Sequence, residues 1–188
     1  MRTAPQRQPA VLSPSVTLTR RSSFGSPPTY FHPYQRGNRA LETMPEGGSK
    51  GEYLTDRLTD ESLKFLEANK NRPFLLYLSH YAVHTPIESK QALAEKYETK
   101  AERLPATEGP RTKTVYGRYT TRMVQDHPVY AGMVQSVDES VGRVMDKIER
   151  LGLERNTIVI FMSDNGGLST VGREGPTCNL PLRAGKGW

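Results

Sequence analysis

Two places in the chain set chemically useful residues directly after a run of apolar ones. The first is Ser79-His80-Tyr81-Ala82-Val83-His84-Thr85-Pro86, after Phe74-Leu75-Leu76-Tyr77-Leu78; the second is Ser163-Asp164-Asn165-Gly166-Gly167, after Ile158-Val159-Ile160-Phe161-Met162. A carboxylate beside an amide carbonyl offers hard oxygen donors, which suit Ca²⁺ or Mg²⁺ better than zinc, and such ions take about six oxygens, so Asp164 and Asn165 would fill only part of a shell. The same residues also make an ordinary turn, because Asp and Asn tolerate the left-handed region and Gly adopts positive φ freely. His84, before Thr-Pro, reads by itself as a surface loop histidine. Lys186, in Arg183-Ala184-Gly185-Lys186-Gly187, invites comparison with a phosphate-binding loop. That comparison fails, since Leu180 stands where the first Gly of the pattern belongs and Gly187 where Ser or Thr belongs.

These residues need a frame, and the apolar pattern supplies one. Leu54, Leu58, Phe65 and Leu66 share one helical face, with Asn69, Asn71 and Pro73 as the stop, which predicts a helix over residues 52–69. Val134, Val137, Val141, Val144, Ile148 and Leu151 follow at spacings of 3, 4, 3, 4 and 3, a second and stronger helix signal. Each helix leads into one of the two apolar runs, 74–78 and 158–162, which read as strands buried on both faces. Two helix-then-strand units predict an α/β fold with a parallel sheet and helices on its faces. In such sheets ligands bind outside the carboxyl ends of the strands, where both polar clusters fall. Residues 23–51, rich in Gly, Pro, Ser and Tyr, read as an irregular loop with aromatic anchors, and residues 88–125 as a variable charged stretch.

The chain has 188 residues, with 26 Lys plus Arg against 20 Asp plus Glu and a formal charge of +6. A mean hydropathy of −0.64 and the absence of any apolar run near ~18 residues argue against a membrane protein, while the aliphatic content suffices for one packed domain. A single cysteine, Cys178, excludes an internal disulfide framework and a Cys-rich zinc site. Arg2, Arg7, Arg20, Arg21, Arg36 and Arg39 all precede the first acidic residue, Glu42, so the basic excess belongs to the leading segment. Residues 1–22 are expected to be a disordered basic leader and 23–188 the domain. Without a lysine cluster or interleaved aromatics the leader reads as a solvated tail rather than a nucleic-acid arm. Nor does Ala10-Val11-Leu12 reach the ~7–15 apolar residues of a signal peptide.

Taken in order, P-P-T-Y-F-H-P-Y, G-E-Y-L-T-D-R-L-T-D-E, S-H-Y-A-V-H-T-P, Y-A-G-M-V-Q-S-V-D-E-S-V-G-R, S-D-N-G-G and N-L-P-L-R-A-G-K-G-W resemble the type I sulfatase family, most closely its bacterial arylsulfatase-like members, from about Phe24 to Trp188. The resemblance implies an alkaline-phosphatase-like α/β fold. It also implies hydrolysis of sulfate esters, on small molecules or glycans, by a formylglycine nucleophile beside a divalent cation, usually Ca²⁺. Asp164 and Asn165 match metal ligands of the family. His84 matches the histidine that contacts the sulfate and assists the leaving oxygen, and Lys186 the lysine that binds a sulfate oxygen. His84, Asp164, Asn165 and Lys186 are therefore expected to converge on one cleft; His80, Arg183 and Asp138 receive no role. Members of the family are commonly periplasmic or extracellular.

The sequence also departs from the family pattern. The nucleophile normally arises in a C/S-x-P-x-R signature, which is absent here. Leu12-Ser13-Pro14-Ser15-Val16 has Leu for the nucleophile and Val for the Arg, and Cys178 is followed by Asn179-Leu180, with Leu where Pro belongs. The paired aspartates that share the metal and a G-K-W-H-like segment are missing too, and the chain ends where members continue into a glycine-rich strand. The expectation is thus a partial sulfatase catalytic domain, inactive in isolation. The alternatives are a non-catalytic anion-binding remnant or gene fragment, and a phosphoester hydrolase of the same superfamily.

Overall fold

The two strongest periodic segments become helices in the computed structural model, which describes residues 15–17, 27–41, 48–105, 109–115, 117, 119–170, 175–182 and 185–187. The first helix, α1, spans Leu54–Asn69 and buries Leu54, Leu58, Phe65 and Leu66, the residues its apolar period selects. Its end is tied off by Asn69, whose Nδ2 donates to Phe65 O at 2.7 Å while its Oδ1 accepts from Arg72 Nε at 2.8 Å. The third helix, α3, spans Pro128–Arg150; His127 caps it by accepting the Tyr130 amide on Nδ1, and Pro128 enters at a position whose missing N–H costs nothing. Between them, α2 (Gln91–Glu102) arises inside the stretch read as variable and packs on α3.

The valine stripe locates α3, but its face is not the most buried one. Val134 is exposed and Val137, Val141 and Val144 are only half-buried, whereas Gly132, Met133, Ser136, Ser140 and Ile148 are buried. Small residues let the helices approach closely. A Cβ added at Gly132 would collide with Ser89 Oγ and stand 3.1 Å from Leu93 Cβ on α2. On the α1 side, Ser140 Oγ lies 2.6 Å from Thr59 Oγ1, and the hydroxyls of Thr59, Ser62 and Ser136 each donate to the carbonyl four residues earlier. A seam of satisfied hydroxyls therefore lines the α1–α3 contact.

Among the described residues the expected parallel sheet is present in one pair only. Strand β1 (Ser15–Thr17) runs parallel to β4 (Leu75–Tyr77), in the register Ser15–Leu75, Val16–Leu76 and Thr17–Tyr77. Two antiparallel hairpins complete the strands among the described residues: β2 (Gln35–Arg36) with β3 (Arg39–Ala40), turning at Gly37 with φ +58°, and β5 (Thr112–Val115) with β6 (Tyr119–Arg122).

Three expectations are corrected here. Ser15–Thr17, placed by composition in a disordered leader, forms a strand, because backbone pairing needs no apolar side chain; the rest of that leader, apart from those three residues, lies outside the described residues. The run 74–78 does supply a strand, but Leu75 is 62% and Tyr77 60% exposed, so it is not buried on both faces. The run 158–162 enters no ladder among the described residues, and its side chains are 48–90% exposed. A strand of this composition needs a neighbour at each edge and cover on each face, and the helices here spend their buried surface on one another.

The core mixes tyrosines with aliphatic side chains. Tyr30, Tyr34, Leu41, Tyr53, Leu54, Leu58 and Met133 form it, with Leu78, Tyr81, Ala82, Val83 and Ile87 packed against it. Tyr30 and Tyr53 stack at 5.6 Å. The Gly/Pro/Tyr-rich loop is therefore anchored by its aromatics as expected, and it supports the segment that carries His84.

Candidate functional site

His84 stands on the irregular segment after β4. Its carbonyl accepts the Tyr30 hydroxyl at 2.9 Å, its amide donates to Tyr81 O at 2.9 Å, and its exposed ring meets Thr85, with Nδ1 3.2 Å from both the carbonyl and the hydroxyl oxygen. The far end of the loop is fixed by Glu88. Its carboxylate accepts the Tyr30 amide at 2.8 Å and the Thr29 hydroxyl at 2.7 Å and pairs with Arg36, while its carbonyl accepts the Tyr53 hydroxyl at 2.7 Å. Burial, then Tyr53 and Glu88, push the Tyr30 phenol far above its usual range; burial, then Asp56 and Glu88, do the same for Tyr53. Both phenols therefore stay protonated donors that hold the backbone of the loop.

His80 is the contrasting case. Its Nε2 lies 3.2 Å from Ser140 Oγ, its Nδ1 is buried with no hydrogen-bond partner among the described residues, and burial pulls its pKa down to about 4. It is a neutral wedge between the β4 loop and the α1–α3 seam.

The second cluster is organised by backbone and amide groups. Ser163 Oγ donates to Asn165 O at 2.6 Å, and Asn165 Nδ2 donates to Asp164 Oδ2, so the two residues face one another on an exposed turn. Two residues further on, Gly167 is held at both ends of its backbone: its amide donates to Asn179 Oδ1 at 3.0 Å, and its carbonyl accepts Asn179 Nδ2 at 2.8 Å and the Lys186 amide at 3.3 Å. The 177–179 segment is moored to the entry of α3, since Thr177 Oγ1 donates to Gln125 Oε1 at 2.8 Å and Gln125 Nε2 donates to Cys178 O. Antiparallel pairing of Thr170 with Thr121 and donation from the Arg122 amide to Ser169 O at 2.8 Å fasten the intervening chain to β6. Cys178 is buried, and its Sγ accepts the Leu180 amide.

The structure thus ties the backbone of Lys186 to Gly167, two residues beyond the Asp164-Asn165 turn, through the Gly167 carbonyl. His84 belongs to a different support, and no hydrogen bond among the described residues links it to the other three. Asp138 lies exposed on α3, and Arg183 is outside the described residues. The sequence reading missed Asn179 and Gln125. The first had a visible signal, an Asn opening the N-L-P-L-R-A-G-K-G motif, while Gln125 had none, lying in a stretch without period. As cation ligands, Asp164 and Asn165 are right in kind, yet among the described residues no three His, Cys, Asp or Glu side chains are grouped to hold a metal. They do not make a metal site by themselves.

In class, this is an α/β segment whose polar side chains stand on loops beyond apolar runs, held there by amide and phenol anchors. A family model described as Sulfatase matches residues 17–188, and the chain belongs to the sulfatase family. It is similar to a sulfatase of Formosa agariphila (33% identical over 165 residues, covering 82% of this chain and 25% of that protein). Steryl-sulfatase of Mus musculus is 34% identical over 138 residues, covering 71% and 18% respectively. N-acetylgalactosamine-6-sulfatase of Mus musculus is 30% identical over 182 residues, covering 87% and 29%. Among solved structures, Ps i-CgsB aligns with a TM-score of 0.52 at 31% identity, over 74% of this chain and 26% of that one; its complex with k-i-k-neocarrahexaose gives 0.51. The chain spans about a quarter of the length of the relatives it matches and carries part of their alkaline-phosphatase-like fold. Sulfatases generally use a metal ion. No helix among the described residues is long and apolar enough to cross a membrane.

Proposed function

We propose that this chain supplies the sulfate-handling loops of a sulfuric ester hydrolase. The observation that carries the reading is the bond from the Lys186 amide to Gly167 O, which seats the lysine segment on the turn bearing Asp164 and Asn165. In this reading the Lys186 ammonium binds a sulfate oxygen, and its charge offsets the negative charge on the sulfuryl group. His84, exposed on a loop whose backbone is fixed by Tyr30 and Glu88, gives a proton to the departing ester oxygen. Asp164 and Asn165 lend two oxygens to a hard cation, Ca²⁺ by family resemblance. Since about six are needed, cation binding belongs to a domain that adds further ligands, and the two steps above do not run through it. Attack on sulfur is the part of the formylglycine nucleophile, whose signature this sequence lacks. The carrageenan-type oligosaccharide named with Ps i-CgsB supports a sulfated glycan as substrate.

Titration of the ¹⁵N-labelled chain with sodium sulfate tests the reading. The expected result is millimolar binding that shifts the amides around Gly167 and Lys186 and weakens about tenfold in Lys186→Ala, the scale of one hydrogen bond to a charged group, ~1.5 kcal/mol. Binding unaffected by Lys186→Ala would overturn it.

A further inference from the structure

We infer that Asn179 is the positioning residue of this site, setting where the Lys186 ammonium stands relative to the Asp164-Asn165 turn; the inference rests on the sulfate-binding reading of Lys186.

The argument begins with the Gly167 carbonyl, which has two acceptor directions. One takes Asn179 Nδ2 at 2.8 Å and the other the Lys186 amide at 3.3 Å. The Gly167 amide donates to the oxygen of the same Asn179 side chain at 3.0 Å. A planar group with one donor and one acceptor therefore grips both polar atoms of a single residue, as a neighbouring strand would, and fixes the direction in which the carbonyl meets Lys186. Asp would lose the donor, Leu both bonds, and Gln would add a carbon to the reach.

Two glycines show how closely the parts are fitted. A Cβ at Gly185 would collide with Gly167 O and stand 2.5 Å from Asn179 Nδ2. A Cβ at Gly167 would stand 2.5 Å from Thr177 Cγ2 and 3.3 Å from the Tyr130 hydroxyl. Neither glycine has a positive φ, so what they provide here is room. Asn179 is itself held, because its carbonyl accepts the Leu182 amide at 2.7 Å and the preceding Thr177-Cys178 is moored to Gln125 at the entry of α3. The frame is therefore continuous: α3 entry, Gln125, Thr177-Cys178, Asn179, Gly167 and then Lys186. Asn179 touches no sulfate in this scheme and acts through the lysine.

The test is a double-mutant cycle read by sulfate titration of the full chain, with amide exchange of Gly167 and Lys186 followed by NMR in the same samples. Asn179→Ala is expected to speed exchange at both amides at least tenfold, to weaken sulfate binding about fivefold, and to cause no additional loss in a Lys186→Ala background. Gly185→Ala, which leaves the asparagine in place and forces the two segments apart, is expected to weaken sulfate binding by a similar factor, and it stands in should Asn179→Ala fail to fold. Unchanged sulfate affinity in folded Asn179→Ala and Gly185→Ala, alongside weakened binding in Lys186→Ala, would overturn the inference and leave the proposed function standing. Fully additive losses in the cycle would also overturn it. Sulfate binding indifferent to Lys186→Ala would remove the proposed function, and the inference with it.

Discussion

His80 and His84 are four residues apart and live in opposite environments. The ring of His84 is exposed, whereas His80 is enclosed, with one nitrogen near Ser140 and the other unpartnered among the described residues. Because burial lowers the His80 pKa from 6.5 to about 4, the unfolded chain binds a proton that the folded one does not between those values. Stability is thus fully present above about pH 6.5 and declines as pH falls toward about 4, by roughly 3 kcal/mol from this residue. His127, also lowered by burial and by Arg122, acts in the same direction, so the informative quantity is a difference. Urea unfolding across this range is expected to show a shallower pH slope in His80→Gln than in the parent chain; equal slopes would mean that His80 is charged in the folded state. His80 and His84 differ in burial, which sequence alone does not display. What was legible was the motif around them, whose order along the chain is a property of the sequence.

The element that sequence described both best and worst is α3. Six apolar residues in 3–4 spacing announce a helix whatever covers them, and the helix is there. They say nothing of which face is buried, and the face that packs carries Gly132, Ser136 and Ser140, residues that a hydrophobic count ignores. Gly132→Ala gains up to about 1 kcal/mol of helix propensity and must displace Ser89 and Leu93. Overpacking of this kind costs about 1–3 kcal/mol, so net destabilisation is expected in urea unfolding, with partial recovery when Ser89→Gly makes room. A gain in stability would show that α2 and α3 separate easily. The same blindness explains the strands. An apolar run signals that a segment wants burial on both faces, yet whether neighbours exist is decided by the rest of the chain. Leu75–Tyr77 finds one in Ser15–Thr17, a segment with no apolar run to betray it.

Across the whole molecule, the part that could be read was the family and the order of its motifs; the part that could not was how two loop clusters are held, because amide-to-backbone grips such as that of Asn179 on Gly167 have no periodic trace. Binding a sulfate and cleaving its ester are separable, and this chain is expected to do only the former. Coexpressed with a formylglycine-generating enzyme, it should hydrolyse no fluorogenic aryl sulfate above background, and the Cys178 peptide should keep the mass of a thiol. Cys178 is buried, with Leu where a modifying enzyme needs Pro. Conversion at Cys178 together with turnover lost in Cys178→Ala would reverse this. The exposed run Ile158-Val159-Ile160-Phe161-Met162 has a consequence of another kind. It has high β propensity, no charge, no Pro and no Gly, the composition that stacks into cross-β fibrils. Its nearest charges are Arg155 on one side and Asp164 on the other. Asp164, besides being a candidate ligand, is therefore the charge placed to oppose such self-stacking, which is expected to grow with concentration.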